Sequence, residues 1–152
     1  MHAPDGYECP FCAIVRGEPR RPPGTAEDDI VLRTPTTTAW IARRWWVNNA
    51  GHVLVVPNLH VENMYELPRE LAGDVHETAR TIAVALKAAY ACAGISTRQH
   101  NEPAGNQDVW HYHLHVFPRY EGDDLYGSPF RETTPDERGP YAERMRAALS
   151  NA

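Results

Sequence analysis

The chain has 152 residues, 42% apolar and 23% charged, which suits one soluble globular unit and excludes wholesale disorder. Fifteen Lys and Arg against twenty Asp and Glu leave a net charge of −5. That balance excludes a generally basic nucleic-acid binder, though not a local site for a small anion. No apolar run approaches the ~20 residues needed to span a bilayer, and the N-terminus has neither a basic start nor an apolar stretch. Three cysteines make no disulfide framework. The expectation is a cytoplasmic protein, one domain over residues 1–152, with neither membrane nor nucleic acid as partner.

Near the start, Cys9 and Cys12 form a Cys-x-x-Cys pair, and the Pro/Arg-rich residues 19–24 read as a loop. Residues 30–32 and 36–41 are rich in β-branched and aromatic side chains and predict two strands; residues 45–51 close in turn chemistry. Residues 52–57 predict a strand with Pro57 at its end. From Leu71 the apolar positions Leu71, Val75, Ala79, Ile82, Leu86, Ala89 and Ala93 recur every three or four residues. This spacing predicts a long amphipathic helix stopped by Gly94, with Cys92 as a small apolar packer on its late turn. Residues 96–101 read as a strand, 102–108 as a turn, and 109–118 as a strand carrying His111, His113 and His115. After Arg119 the composition reads as loop, with a solvated acidic patch at 121–124, until a short C-terminal helix over 141–149. Consecutive strands with one long helix among them predict an α+β domain with an antiparallel sheet.

The histidines carry the chemistry. Alternate side chains of a strand share a face at ~7 Å spacing, so His111, His113 and His115 project together while Tyr112, Leu114 and Val116 face a core. Three adjacent imidazoles each need hydrogen-bond partners if buried. One chemistry that uses such a row is a three-His metal site. Another is an imidazole nucleophile at phosphorus whose neighbours set its tautomer. Spacing alone leaves both open. Cys9 and Cys12 have zinc-ligand spacing but need two more ligands, and a redox pair or two buried thiols fit the same spacing.

The wider pattern chooses. The run His111-Tyr-His-Leu-His-Val-Phe117 fits His-φ-His-φ-His-φ-φ, the signature of the histidine triad (HIT) superfamily. Cys9-Pro-Phe-Cys12-Ala-Ile resembles that family's N-terminal segment. Gly51-His-Val-Leu-Val-Val-Pro57 with His60 resembles its central block, and Pro118-Arg119 follows the triad as in several of its branches. Four motifs in order make residues 8–120 similar to a HIT domain, with 121–152 as a C-terminal extension.

The resemblance implies a HIT-like α+β fold with one long and one short C-terminal helix, and a homodimer. It implies an enzyme that cleaves the α-phosphate of a nucleoside phosphoramidate or a (di)nucleoside polyphosphate. In that role His113 is the nucleophile that becomes nucleotidylated, His115 assists phosphate and leaving-group chemistry, and His52 positions His113. Zinc-binding relatives join the two cysteines with positions that match His60 and His111. The resemblance therefore implies a structural zinc on Cys9, Cys12, His60 and His111. A nucleotide-binding regulatory module with little turnover is the alternative from another class, and a three-His metallohydrolase is a third.

Two positions depart from the family. Its phosphate loop usually reads Gly-Gln-Ser/Thr-Val-x; here Asn106, Gln107 and Asp108 occupy the matching places and are the expected phosphate binders. Arg44 stands where an acidic or amide residue usually holds the ribose. A carboxylate beside a phosphate dianion calls for a compensating cation, Arg44 or Arg119, or for a leaving group that is itself cationic. The last is the expectation for Asp108. The four tryptophans, Trp40, Trp45, Trp46 and Trp110, are expected mainly as core or dimer contacts.

Overall fold

In the computed structural model, which describes residues 2–18, 24, 25 and 27–151, the chain begins with α1 (Pro10–Val15), β1 (Ile30–Arg33), β2 (Thr37–Ile41) and β3 (Arg44–Trp46). It continues through β4 (Val53–Pro57), α2 (Arg69–Tyr90), β5 (Gly94–Gln99), β6 (Leu114–Arg119), β7 (Phe130–Glu132) and α3 (Pro135–Ser150). Most of the loop expected at 19–24 lies outside the described residues. Five strands pair antiparallel in the order β1-β2-β4-β6-β5, and β3 pairs with β7 as a separate ribbon. The architecture is the expected α+β arrangement. Among the described residues no helix is long and apolar enough to cross a membrane.

The sheet has two unlike faces, which follow from side-chain alternation. On one, Ala39, Ile41, Val53, Val55, Leu114 and Val116 pack against Val75, Ala79, Ile82 and Leu86 of α2 and Met145 of α3. Each fully buried Val, Leu or Ile contributes about 1.5–3 kcal/mol, so this face anchors the sheet. On the other, Trp40, Leu54 and Val56 pack with Phe11 and Ile14 of α1. That second layer is thin and covers only part of the sheet. The uncovered part carries the histidines.

Several elements differ from the sequence expectation. The strand expected over 109–118 begins only at Leu114: Val109–His111 form a bend, in which the His111 amide donates to Val109 O (2.9 Å), so His111 and His113 lie in the approach to β6 and His115 alone lies within it. Helix α2 ends at Tyr90, short of Gly94, because Ala91 takes a left-handed conformation (φ 51°). Lys87 Nζ donates to the carbonyl of Cys92 (2.7 Å), and Cys92 is buried just beyond the helix rather than on it. Strands β3 and β7 and helix α1 are too short to show a period. Helix α3 begins at Pro135 rather than 141. There Thr134 and Glu137 form a reciprocal capping box, which outweighs the breaker chemistry of Gly139 and Pro140. Arg138, wholly buried, fastens that turn through Asp29 (2.8 Å), Thr133 O (2.6 Å) and Gly24 O (2.9 Å). The acidic patch at 121–124 is not wholly solvated. Asp123 is buried and accepts from Arg119 (2.7 Å), Asn49 (2.7 Å) and the Tyr120 amide (2.9 Å).

Gly51 sets the entry to β4. Its φ is +76°, and a Cβ there would meet Tyr90 Oη at 2.8 Å and the ring of Tyr141. Only glycine fits, and the next residue is His52, held at the end of the uncovered face.

Candidate active site

His113 is the residue most tightly defined. Its Nδ1–H donates to the carbonyl of His111 (2.7 Å), which places the proton on Nδ1 and leaves the Nε2 lone pair free. Burial lowers its pKa below the usual imidazole value, so the ring is neutral near pH 7. Its ring stands edge-on to Phe11 (5.2 Å) and to His115 (5.1 Å).

His115 and His52 form a pair of their own, Nδ1 to Nε2 at 3.3 Å. The Nδ1 of His52 is buried without a partner. An unpaired acceptor costs less than an unpaired N–H donor, so the favoured tautomer of His52 carries its proton on Nε2 and donates it to His115. His115 then holds its own proton on Nε2. Burial, with Arg98 adding repulsion, pushes His52 down to about 3. Burial and the nearby His113 and His52 rings push His115 well below the usual value. His52 thus supports His115 directly, not His113, which corrects the role the resemblance implied.

His111 belongs to a different centre. Its Nε2–H donates to Pro57 O (2.9 Å), which turns the Nδ1 lone pair toward Cys9 Sγ (3.3 Å) and Cys12 Sγ (3.5 Å). His60 Nδ1 lies 3.3 Å from Cys12 Sγ. The four donor atoms lie within 4.8 Å of one another. A tetrahedral zinc with sulfur at ~2.3 Å and nitrogen at ~2.0–2.1 Å has S···N edges of about 3.5 Å, so the donor set fits that metal. The three triad rings do not converge on one point: His111 turns to the cysteines, His113 to a backbone carbonyl and His115 to His52. The three-His metal site is therefore not formed.

A cavity of about 850 Å³ opens over His113, His115 and His52. Phe11, Ile14, Trp40, Leu54 and Val109 line one part of it; Trp46, Arg98, His100 and Phe130 line another. Asn106 and Asp108 line the mouth. Gln107 does not: its side chain accepts from Glu102 N (2.6 Å) and donates to Glu62 O (2.6 Å) and Val109 O (3.1 Å). With both ends of its amide committed to backbone, Gln107 shapes the loop instead of meeting a ligand, a correction to its expected role. Arg44 pairs with Asp108 at 3.0 Å, both partly exposed, and lies 3.8 Å from Glu132. Asp108 thus has its compensating cation in the protein, and Arg119 is occupied by Asp123 instead. Trp45 is core, while Trp40, buried against Phe11, and Trp46 both line the cavity.

Sequence pattern alone singled out neither Arg98 nor His100. His100 sits 6.1 Å from His115, ring to ring, and bonds Gly105 O through Nδ1. Arg98 within β5 and His100 just past its end become a signal only once the register against β6 is known.

Comparison with known proteins agrees with the geometry. A family model of the HIT domain matches residues 25–122. The Protein hit of Bacillus subtilis is 29% identical over 150 residues, 99% of this chain and 96% of that one. An adenosine 5'-monophosphoramidase of Saccharomyces cerevisiae is 27% identical over 104 residues, 67% of this chain and 63% of that one. The crystal structure of a zinc-bound histidine triad family protein from Mycobacterium smegmatis superposes with a TM-score of 0.78 at 28% identity, covering 94% of each chain. The fold and the paired histidines define a histidine triad protein. The chain belongs to the HIT family, some of whose members are nucleotide hydrolases.

Because His52 is neutral in the fold and titrates near pH 6.5 when unfolded, its contribution to stability is complete above pH 6.5 and is lost as pH falls toward about 3. At pH 5 the loss is about 2 kcal/mol, from 1.36 kcal/mol for each unit below the unfolded value. Urea unfolding at pH 7.5 and pH 5 should show His52→Gln losing about 2 kcal/mol less than the wild type between the two. Equal losses would show that His52 is not held neutral.

Proposed function

We propose that this chain is a nucleotide hydrolase or nucleotidyl transferase that cleaves the α-phosphate of a nucleoside phosphoramidate or (di)nucleoside polyphosphate through His113. The observation that carries this reading is the fixed tautomer of His113 in a cavity of nucleotide size. The Nε2 lone pair attacks the α-phosphorus, the bond to the leaving group breaks, and the leaving atom keeps the electron pair. Water then attacks the same phosphorus, the N–P bond breaks, and the imidazole lone pair is restored. Dividing one displacement into two is the gain of covalent catalysis. His115 Nε2–H is a donor for a phosphate oxygen, and His52 holds it in that tautomer. The base fits the apolar part of the cavity, between Phe11, Ile14, Trp40 and Leu54. Asn106, Asp108 and Arg44 surround the mouth as the candidate ribose and phosphate neighbours. The likeness to a monophosphoramidase supports the reaction class. Strand β5 is the edge of the sheet, so a second copy could continue the sheet there, which supports the homodimer reading.

Cys9, Cys12, His60 and His111 would hold zinc. The metal would be structural, since four protein ligands complete its shell, and it would pin α1 and the approach to β6 together.

Protein made in zinc-replete medium should contain about one zinc per chain, and the double change Cys9→Ser, Cys12→Ser should abolish it and lower the melting temperature. Well under half an equivalent in the wild type would overturn the zinc assignment. His113→Ala should reduce turnover of nucleoside phosphoramidates and dinucleoside polyphosphates at least about a thousandfold while nucleotide affinity changes little. A variant that keeps a tenth of the activity would show that the nucleophile lies elsewhere.

A further inference from the structure

The cross-strand register sets five residues in one rung across the sheet face opposite α2, its apolar end packed against α1. Ile30 lies opposite Trp40, Trp40 opposite Leu54, Leu54 opposite His115, and His115 opposite Arg98. At ~4.8 Å per strand, the rung passes from three apolar positions through histidine to a cation within about 20 Å, and all of it but Ile30 lines the cavity. The Arg98 guanidinium lies over Trp46 (4.6 Å), Phe117 (5.1 Å) and Tyr126 (5.9 Å). Its Nε is buried without a hydrogen-bond partner, and among the described residues no carboxylate pairs with it. The cavity's other two arginines are already matched, Arg44 by Asp108 (3.0 Å) and Arg43 by Glu132 (3.1 Å). Aromatic faces position a guanidinium without discharging it, and a partly buried cation with unused donors is suited to a planar or tetrahedral oxyanion.

Resting on the nucleotidyl-transfer reading above, we propose that Arg98 binds the leaving group and that this group is an oxyanion, which makes nucleoside polyphosphates the preferred substrate class over amine-linked nucleotides. The base occupies the apolar end of the rung and His113 takes the α-phosphate, so the group beyond it falls at the Arg98 end. When Nε2 forms the N–P bond, the P–O bond to the next phosphate breaks and that oxygen keeps the electron pair. The new negative charge develops beside Arg98. A phosphate leaves near neutral pH without being protonated, whereas an amine must gain a proton as it leaves. The flanking His52 and His115 are neutral, and burial disfavours their protonation, so they are poor sources of that proton.

The test compares wild type, Arg98→Gln and Arg98→Lys in two measurements. In calorimetric binding, Arg98→Gln should weaken a nucleoside diphosphate about 10- to 100-fold while the monophosphate of the same base changes less than about threefold, and Arg98→Lys should keep most of the diphosphate affinity. In steady-state kinetics, Arg98→Gln should lower kcat/KM for a nucleoside triphosphate by a similar factor and lower that for an amine-linked nucleoside phosphoramidate by a clearly smaller one. An unchanged ratio of diphosphate to monophosphate affinity, or equal losses on both substrates, overturns the assignment. If the wild type turns over neither substrate, the nucleotidyl-transfer reading fails, and the binding ratio still decides whether Arg98 reads the anion.

Discussion

The hydrogen bond from His113 Nδ1 to the carbonyl of His111 is the constraint on which the site depends. Without it the central ring could present either nitrogen, and the lone pair would have no fixed direction. The carbonyl itself is fixed because the His111 side chain is held between Pro57 O and the two cysteines. A single dipeptide step therefore joins the Cys/His cluster to the proposed nucleophile, one through the side chain and the other through the backbone. His111 and His113 both precede the first paired residue of β6, Leu114.

The second organising feature is the difference between the two sheet faces. Helices α2 and α3 cover one face and supply most of the core. The other face receives only the short α1, and the separate β3–β7 ribbon stands beside the space left open. That ribbon contributes Trp46 and Phe130 as a wall and Arg44 as the partner of Asp108. The exposed Arg44–Asp108 pair adds little to stability, at most about 1 kcal/mol, but it leaves Asp108 matched by a cation at the cavity mouth. The two positions that depart from the pattern the resemblance implied thus pair with each other.

Much of this was legible in residue order. The 3.6-residue period of α2, the β-branched runs of β1, β2 and β4, and the ordered Cys and His motifs all act locally, so the pattern reveals them. The Cys9, Cys12, His60 and His111 cluster was legible only through the resemblance, because its members are far apart in the chain. What remained hidden depends on register and on long-range partners. Arg98 becomes part of the site only because β5 pairs with β6 so as to put it opposite His115. Gln107 matches a phosphate-loop position in sequence, yet backbone groups at 62, 102 and 109 absorb its amide. Arg138 and Asp123 look like surface charges until their buried partners are in view. The start of α3 is hidden by Gly139 and Pro140, whose local preference yields to the capping box and to Arg138.

The central claim is a covalent nucleotidyl-His113 intermediate, and the stereochemical course at phosphorus tests it most directly. A nucleoside polyphosphate carrying a chiral α-phosphorothioate, hydrolysed in water enriched in oxygen-18, gives a chiral product. Two in-line displacements, first by His113 Nε2 and then by water, predict net retention of configuration. Inversion would mean that water attacks the substrate directly and that His113 is not the nucleophile.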